Sequence, residues 1–230
     1  MPPIENQLIA NLPRKSRLSL MKLCEPVQLR MAEVLCDGGE PIRHVYFPVE
    51  GFISLVTKLD GKPVLEVGMV GCEGMLGAQL ALGVRSEPLY AVVQGAGSAW
   101  RVGASAFQRE LNRNKALKVT LGQYLHVTAT QLAGSAACLR FHQISPRLAR
   151  WLLMTQDRAN SSSFRVTHEF LAFMLGVRRV GITTAASALQ RRGLVEYHRG
   201  NIRILNRAAL IKAACACYAS DRKAYAELLQ

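Results

Sequence analysis

The spacing of apolar and polar positions changes character along the chain. Leu8, Ile9 and Leu12, then Leu18, Met21 and Leu23, recur at helical intervals and are split by Pro13, so a short helical lead-in is expected over residues 5–24. From Val27 to about Val102 the pattern turns to brief runs rich in Val, Leu and Phe. Turn-forming segments such as "DGGEP", "LDGKP" and "QGAGS" separate these runs at intervals of about ten residues, which predicts an all-β sandwich or jelly roll. Within "ISLVTKLDGKPVLEV", Asp60-Gly61 between two β-rich runs marks a hairpin.

After Gly103 the spacing is helical again to about Leu139. Leu121, Leu125, Thr128, Leu132, Ser135 and Leu139 fall at alternating steps of four and three, the seam of two helices packed side by side. We read it as a dimerisation seam, although a helix lying along its own β domain would use the same stripe. "HQISPRLARWLLMTQDRANSSSF" then predicts a helix opened by Ser145, with Pro146 in its first turn and a polar loop from Asn160 to Ser163.

The next segment is the most specific. "VTHEFLAFMLG" offers Thr167 as N-cap, Glu169 in the first turn and Gly176 as a left-handed terminator. A second helix follows from about Arg179 to Arg191, opening on two adjacent arginines and uncharged through its middle. Two helices joined by a short glycine-containing turn form a helix-turn-helix. Ala172 is small where the helices cross, and Ile182 joins Leu171, Leu175, Val177, Leu189 and Leu194 in a shared interior. The outward positions are Arg178, Arg179, Val180, Thr183, Thr184 and Ser187. Arginine at the leading end of a helix in the major groove can grip guanine with two hydrogen bonds, worth about 1–3 kcal/mol of discrimination, and Thr or Val can meet a thymine methyl. "LVEYHRGNIRIL" alternates around Arg199-Gly200-Asn201, a hairpin wing with Arg199 at its tip as a phosphate contact. His168 is placed with this DNA-contacting set.

Asn206 caps a last helix carrying Cys215 and Cys217. Two apart on one helix, they face different ways, and no shared metal is expected.

Charge sharpens this picture. The 230 residues carry a formal net charge of +13. From Ser145 onward, 14 basic residues stand against five acidic ones, so most of the excess is C-terminal, as suits a polyanionic partner. The six cysteines contain no C-x-x-C pair, so neither a zinc knuckle nor a disulfide framework is expected. Without a secretory signal or membrane-spanning stretch, the expected location is cytoplasmic and no membrane partner is expected. No nucleophile beside a base, phosphate loop or paired carboxylates at useful spacing appears, so an enzyme is not expected. The alternative is a sensor of a cyclic nucleotide or other small ligand whose winged domain contacts protein.

The order of parts, with "LARWLLMTQDR" and "TxEFLAxMLGVRR…ALQxxGLVxYxRGxI", resembles the Crp/Fnr family of bacterial transcription regulators over nearly the whole chain. The resemblance implies an α+β architecture: a cyclic-nucleotide-binding-like β jelly-roll sensor domain (1–110), a long dimerisation helix and hinge near Phe141 and His142 (111–141), and a winged helix-turn-helix (142–230). It also implies a homodimer on a two-fold symmetric site in double-stranded DNA, base reading by Arg179, Val180 and Thr184, and RNA polymerase as a candidate further partner. Where the cyclic AMP receptor protein has an acidic residue reading cytosine, this chain has Val180, so its operator should differ.

The family's nucleotide cassette resembles Gly-Glu-Leu-Gly followed by Arg-Ser. In "CEGMLGAQLALGVRSEPLYAVV" Met75 takes the carboxylate position, and ungapped counting from Phe107 puts Glu87 and Pro88 where Arg and Ser belong. An acid facing a phosphodiester repels it. Arg85-Ser86, two residues upstream, would restore the pair if the loop is shortened, so Glu73, Gly74, Met75, Arg85 and Ser86 form the candidate effector pocket; a cyclic nucleotide is not expected in it, and no cofactor is predicted. Cys24 and Cys36 alone do not supply an iron–sulfur ligand set. His44 and His126 are read as structural rather than as haem ligands.

Overall fold

The computed structural model describes residues 6–60, 62–159 and 161–228. The chain opens with α1 (Gln7–Ala10) and α2 (Arg14–Met21), with Pro13 at the N-cap of α2 as its fixed φ favours. Asn6 accepts from the Ile9 amide, and its own amide donates to the carbonyls of Pro48 and Gly74 at 2.9 and 2.8 Å. The lead-in is thereby tied to the β domain, and Leu8, Ile9, Leu12 and Leu20 are buried.

Among the described residues seven strands follow: β1 (Glu25–Leu29), β2 (Val34–Cys36), β3 (His44–Pro48), β4 (Phe52–Leu59), β5 (Lys62–Val70), β6 (Tyr90–Gly95) and β7 (Gly97–Gly103). They build two antiparallel sheets, β1-β7-β3 and β2-β6-β4-β5. Leu29, Tyr46 and Ala99 from the first meet Ile53, Val70 and Val93 from the second in one buried cluster, the expected sandwich. In the β4–β5 hairpin Leu59 pairs with Lys62 and Asp60 takes a left-handed φ of 50°; Gly61 lies outside the described residues.

After β7, α3 (Ala104–Arg113) gives way at Asn114 to the long α4 (Lys115–Phe141). The Asn114 side chain accepts from the Leu117 amide and donates to Glu110, so it stops one helix and starts the next. Leu117, Leu121 and Tyr124 of α4 then pack with Phe47 and Phe107 of the β domain and α3.

The remainder is α5 (Ile144–Ala159), β8 (Ser163–Arg165), α6 (His168–Met174), α7 (Arg179–Arg191), β9 (Val195–His198), β10 (Asn201–Ile204), α8 (Arg207–Ala213) and α9 (Cys217–Leu228). Three boundaries differ from expectation. The fifth helix begins at Ile144, so Ser145 lies within its first turn. The predicted polar loop, whose Asn160 lies outside the described residues, runs into β8, where Phe164 pairs with Ile202 and makes the wing three-stranded, β8-β10-β9. The last helix is broken, because Ala214 is extended and the chain turns so that α9 packs on α4, with the Tyr225 hydroxyl donating to Gln131 at 3.1 Å. Phe52 and Met69 of the β domain share a core with the winged domain. Among the described residues no helix is long and apolar enough to cross a membrane.

Candidate nucleic-acid interface

The helix-turn-helix forms from local rules. Thr167 accepts from the Phe170 amide at 3.1 Å, and Gly176 holds φ 60° in the turn. Leu171, Ala172, Ile182, Ala185 and Leu189 are buried between α6 and α7 and the helices beside them. On the opposite side of α7, Arg178, Arg179, Val180, Thr183, Thr184 and Ser187 are all exposed, Val180 to 69%. The Thr183 and Thr184 hydroxyls donate to the carbonyls of Arg179 and Val180 at 3.2 and 3.0 Å, so each proton is used inside the helix, which leaves the methyls and the acceptor side of the Thr184 oxygen to meet a base.

The wing tip is a two-residue turn, Arg199 and Gly200, both with positive φ (46° and 79°), the geometry that matches strand twist in tight hairpins. Arg199 is exposed there. His168 takes a different place from the one expected. It is half-buried and stacks on Tyr197 at 4.4 Å, with Nδ1 3.0 Å from the Thr183 hydroxyl. Burial, then the nearby Arg179, lower its pKa, so it braces α7 against β9 as a neutral ring and is a poor phosphate ligand.

The predicted seam divides. Leu121 is fully buried against its own β domain and Leu125 packs beside it, so these two serve the intrachain alternative rather than a partner. Thr128 donates to the Tyr124 carbonyl, Ser135 receives Arg150 at 3.4 Å, and Leu139 faces the crevice beside Trp151. Of that stripe only Leu132 is exposed. A different stripe is open to solvent: Val119, Gly122, His126, Ala129, Ala133, Ala136 and Arg140, also spaced three and four apart. Most of the large apolar side chains follow the apolar surface of their own domain, which leaves the middle of the outer stripe, Ala129, Ala133 and Ala136, small.

The candidate effector residues are not brought together. Met75 is buried in the core with Phe107 and Leu121. Behind Gly74 stands Tyr124, whose hydroxyl would lie 2.4 Å from a Cβ at that position and donates to the Met75 carbonyl. Glu73 forms an ion pair with Arg158 of α5 at 2.8 Å and faces a cavity of about 300 Å³ with Tyr225 and Asp221. Arg85 faces another cavity, beside Lys118, and Ser86 bridges to Pro41. Glu87 is buried, receives the Gln79 amide at 2.6 Å, and is raised in pKa by burial.

Sequence reasoning missed the polar contacts that anchor α5 to the β domain and to the helix-turn-helix. Trp151 donates to Glu66 at 2.8 Å, Ser54 also bonds that carboxyl, and Arg147 donates to the Leu175 carbonyl in the helix-turn-helix. Burial raises Glu66 to a pKa of about 7. The available signal was Arg147 and Arg158 set within the apolar run of α5, where both are buried. Sequence reasoning also placed Cys215 and Cys217 on one continuous helix, whereas Cys215 lies in the break before α9 and Cys217 opens that helix.

Residues 26–114 match the profile of the cyclic nucleotide-binding domain and residues 146–213 that of the Crp-like helix-turn-helix domain. Among solved structures, FixK2 from Bradyrhizobium japonicum is 18% identical, with a TM-score of 0.70 over 84% of this chain and 98% of its own. A putative transcriptional regulator of the crp/fnr family from Eubacterium rectale is 16% identical, with a TM-score of 0.68 over 91% and 99%. The c-di-GMP responsive global regulator CLP of Xanthomonas campestris is 15% identical, with a TM-score of 0.65 over 84% and 100%. At these identities the likeness is one of fold. No curated protein matches the sequence.

Proposed function

The chain belongs to the Crp/Fnr family of transcription regulators, and on that footing we propose that it acts as a homodimer on a two-fold operator, with α7 in the major groove. Its helix-turn-helix is a DNA-binding domain and its β domain is of the effector-binding type. The observation that carries the finer reading is the sidedness of α7, with one face buried and the other exposed and led by arginines.

Arg178 and Arg179 stand at the N-terminal end of α7, which a recognition helix presents to base edges. Arg179 is the residue assigned to guanine O6 and N7, Val180 and Thr184 to apolar contact, and Arg199 of the wing to a phosphate. The exposed small-residue stripe of α4 supports a partner helix at close approach, which would set the two recognition helices on half-sites about 34–36 Å apart.

The β domain does not fit a cyclic nucleotide. A phosphodiester needs a cation, and Glu87 offers a buried carboxyl held by Gln79 instead. Met75 and Tyr124 fill the space behind the cassette. We therefore assign the domain a different input.

Selection of preferred sites from random DNA tests the reading. A palindromic consensus, relaxed at one base pair per half-site by Arg179→Ala, is the expected result. Binding indifferent to sequence, or unchanged discrimination in Arg179→Ala, would overturn it.

A further inference from the structure

Four soft ligands from separate stretches of the chain meet where α4, the hinge and the α8–α9 turn converge. Cys138 lies in the last turn of α4, His142 follows that helix directly, Cys215 lies in the break between α8 and α9, and Cys217 opens α9. The Cys138 and Cys215 sulfurs are 3.6 Å apart, as are the Cys217 sulfur and His142 Nδ1, and all four ligand atoms lie within 4.8 Å of one another. Cys138 and Cys215 are buried while Cys217 and His142 are half-buried, so the cluster has a dry side and a side open to an incoming ion. We propose that Cys138, His142, Cys215 and Cys217 form a tetrahedral site for a single zinc ion, set across the hinge.

The backbone explains why ligands without C-x-x-C spacing converge. Cys138 and His142 are four apart at a helix end and so share a face. Cys215 and Cys217 lie where the chain restarts as α9, and the extended Ala214 just before them redirects that first turn so that both thiols come up to the end of α4, instead of continuing along α8.

The dimensions fit one ion. Zinc–sulfur bonds of about 2.3 Å and zinc–nitrogen bonds of about 2.0–2.1 Å give tetrahedral edges of roughly 3.4–3.8 Å. The two 3.6 Å separations match that figure, and the widest pairs need to close by about 1 Å. A disulfide needs sulfurs about 2.05 Å apart. An iron–sulfur cluster spreads its four ligands over two or four irons and so holds them further apart, across the cluster, than a single ion does.

Charge also fits. Three thiolates and a neutral imidazole around a dication leave one net negative charge. Arg147 and Arg150 line the same crevice as Cys138, and Arg150 is fixed by Asp221 at 2.7 Å. Outer-shell cations of this kind orient and balance a thiolate-rich site. An ion here would join the end of α4 to the last helices of the winged domain and stiffen the hinge between them. That consequence rests on the DNA-binding reading, whereas the site itself does not.

Full-length protein, reduced and stripped with chelator, is titrated with Co²⁺ and then Zn²⁺. The expected result is one equivalent per chain, thiolate-to-cobalt charge transfer with intense tetrahedral d–d bands, displacement by Zn²⁺, and a raised thermal midpoint. Cys217→Ser, at a half-buried position, and His142→Gln each weaken Zn²⁺ binding by more than about tenfold. Cys24→Ser and Cys72→Ser leave the titration unchanged, and circular dichroism verifies that every variant is folded. A folded wild type with no thiolate–cobalt spectrum, unchanged affinity in Cys217→Ser, or loss of binding in Cys24→Ser or Cys72→Ser overturns the site. The zinc dependence of DNA affinity, measured separately, tests the stiffened hinge alone.

Discussion

Gly176 in the turn of the helix-turn-helix and Leu65 on β5 meet across the domain boundary: a Cβ on Gly176 would stand 2.8 Å from Leu65 Cδ1. Gly176 also holds φ 60°, so an added side chain is strained by its own backbone. Since Leu65 Cδ1 is the end of a flexible side chain and can move, the backbone term dominates. Gly176→Ala should cost about 1–2 kcal/mol. Denaturant unfolding of Gly176→Ala and of Gly176→Ala/Leu65→Ala checks the assignment, because the double variant should recover little of the loss.

The Glu66 carboxyl couples stability to pH. Burial lifts its pKa to about 7 in the folded chain from an ordinary 4.5, against hydrogen bonds from Ser54 and Trp151 and the charges of Arg158 and Arg150. An acid whose folded pKa is raised is tolerated while protonated. Stability is therefore lost as pH rises from about 4.5 to about 7, by an amount on the order of 3 kcal/mol at most. Glu66→Gln keeps an acceptor for Trp151 and cannot ionise. Urea unfolding across that pH range should show a slope in the wild type that flattens in the variant.

Arg179 and Arg199 should fail differently. Arg179→Ala is expected to lose about 1–3 kcal/mol at one base pair and to relax specificity there. Arg199→Asn, chosen because asparagine tolerates the positive φ of the wing turn, should weaken binding about equally on all sequences and lower the salt slope by about one. Binding curves on operator and scrambled DNA at several salt concentrations separate the two.

The two stripes of α4 make opposite predictions. Leu121→Ala, a truncation at a fully buried position, should cost about 2–5 kcal/mol of stability and leave the oligomeric state alone. Ala133→Glu, at an exposed position, should leave the fold intact and place like charges face to face across the proposed two-fold axis. Sedimentation should then find monomer for Ala133→Glu and dimer for Leu121→Ala.

The helix-turn-helix was readable from the residue order alone: Thr167 as cap, Gly176 as terminator, the limits of α7 and the division of its residues into buried and exposed all stand as expected. So did the alternation of short strands that makes the sandwich and the hairpin at Asp60. Each of these is settled within a turn or two of chain, by a cap bond, a sterically permitted φ or a period of 3.6 or 2. The tertiary structure alone decided that Leu121 serves its own domain, that His168 leans on Tyr197, that Glu66 is half-buried beside Trp151, and that Cys138 and His142 face Cys215 and Cys217. A periodic pattern says that a face is covered without saying by what, because the covering surface arrives from a distant part of the chain. Which of two stripes on α4 was buried therefore depended on where the β domain lay.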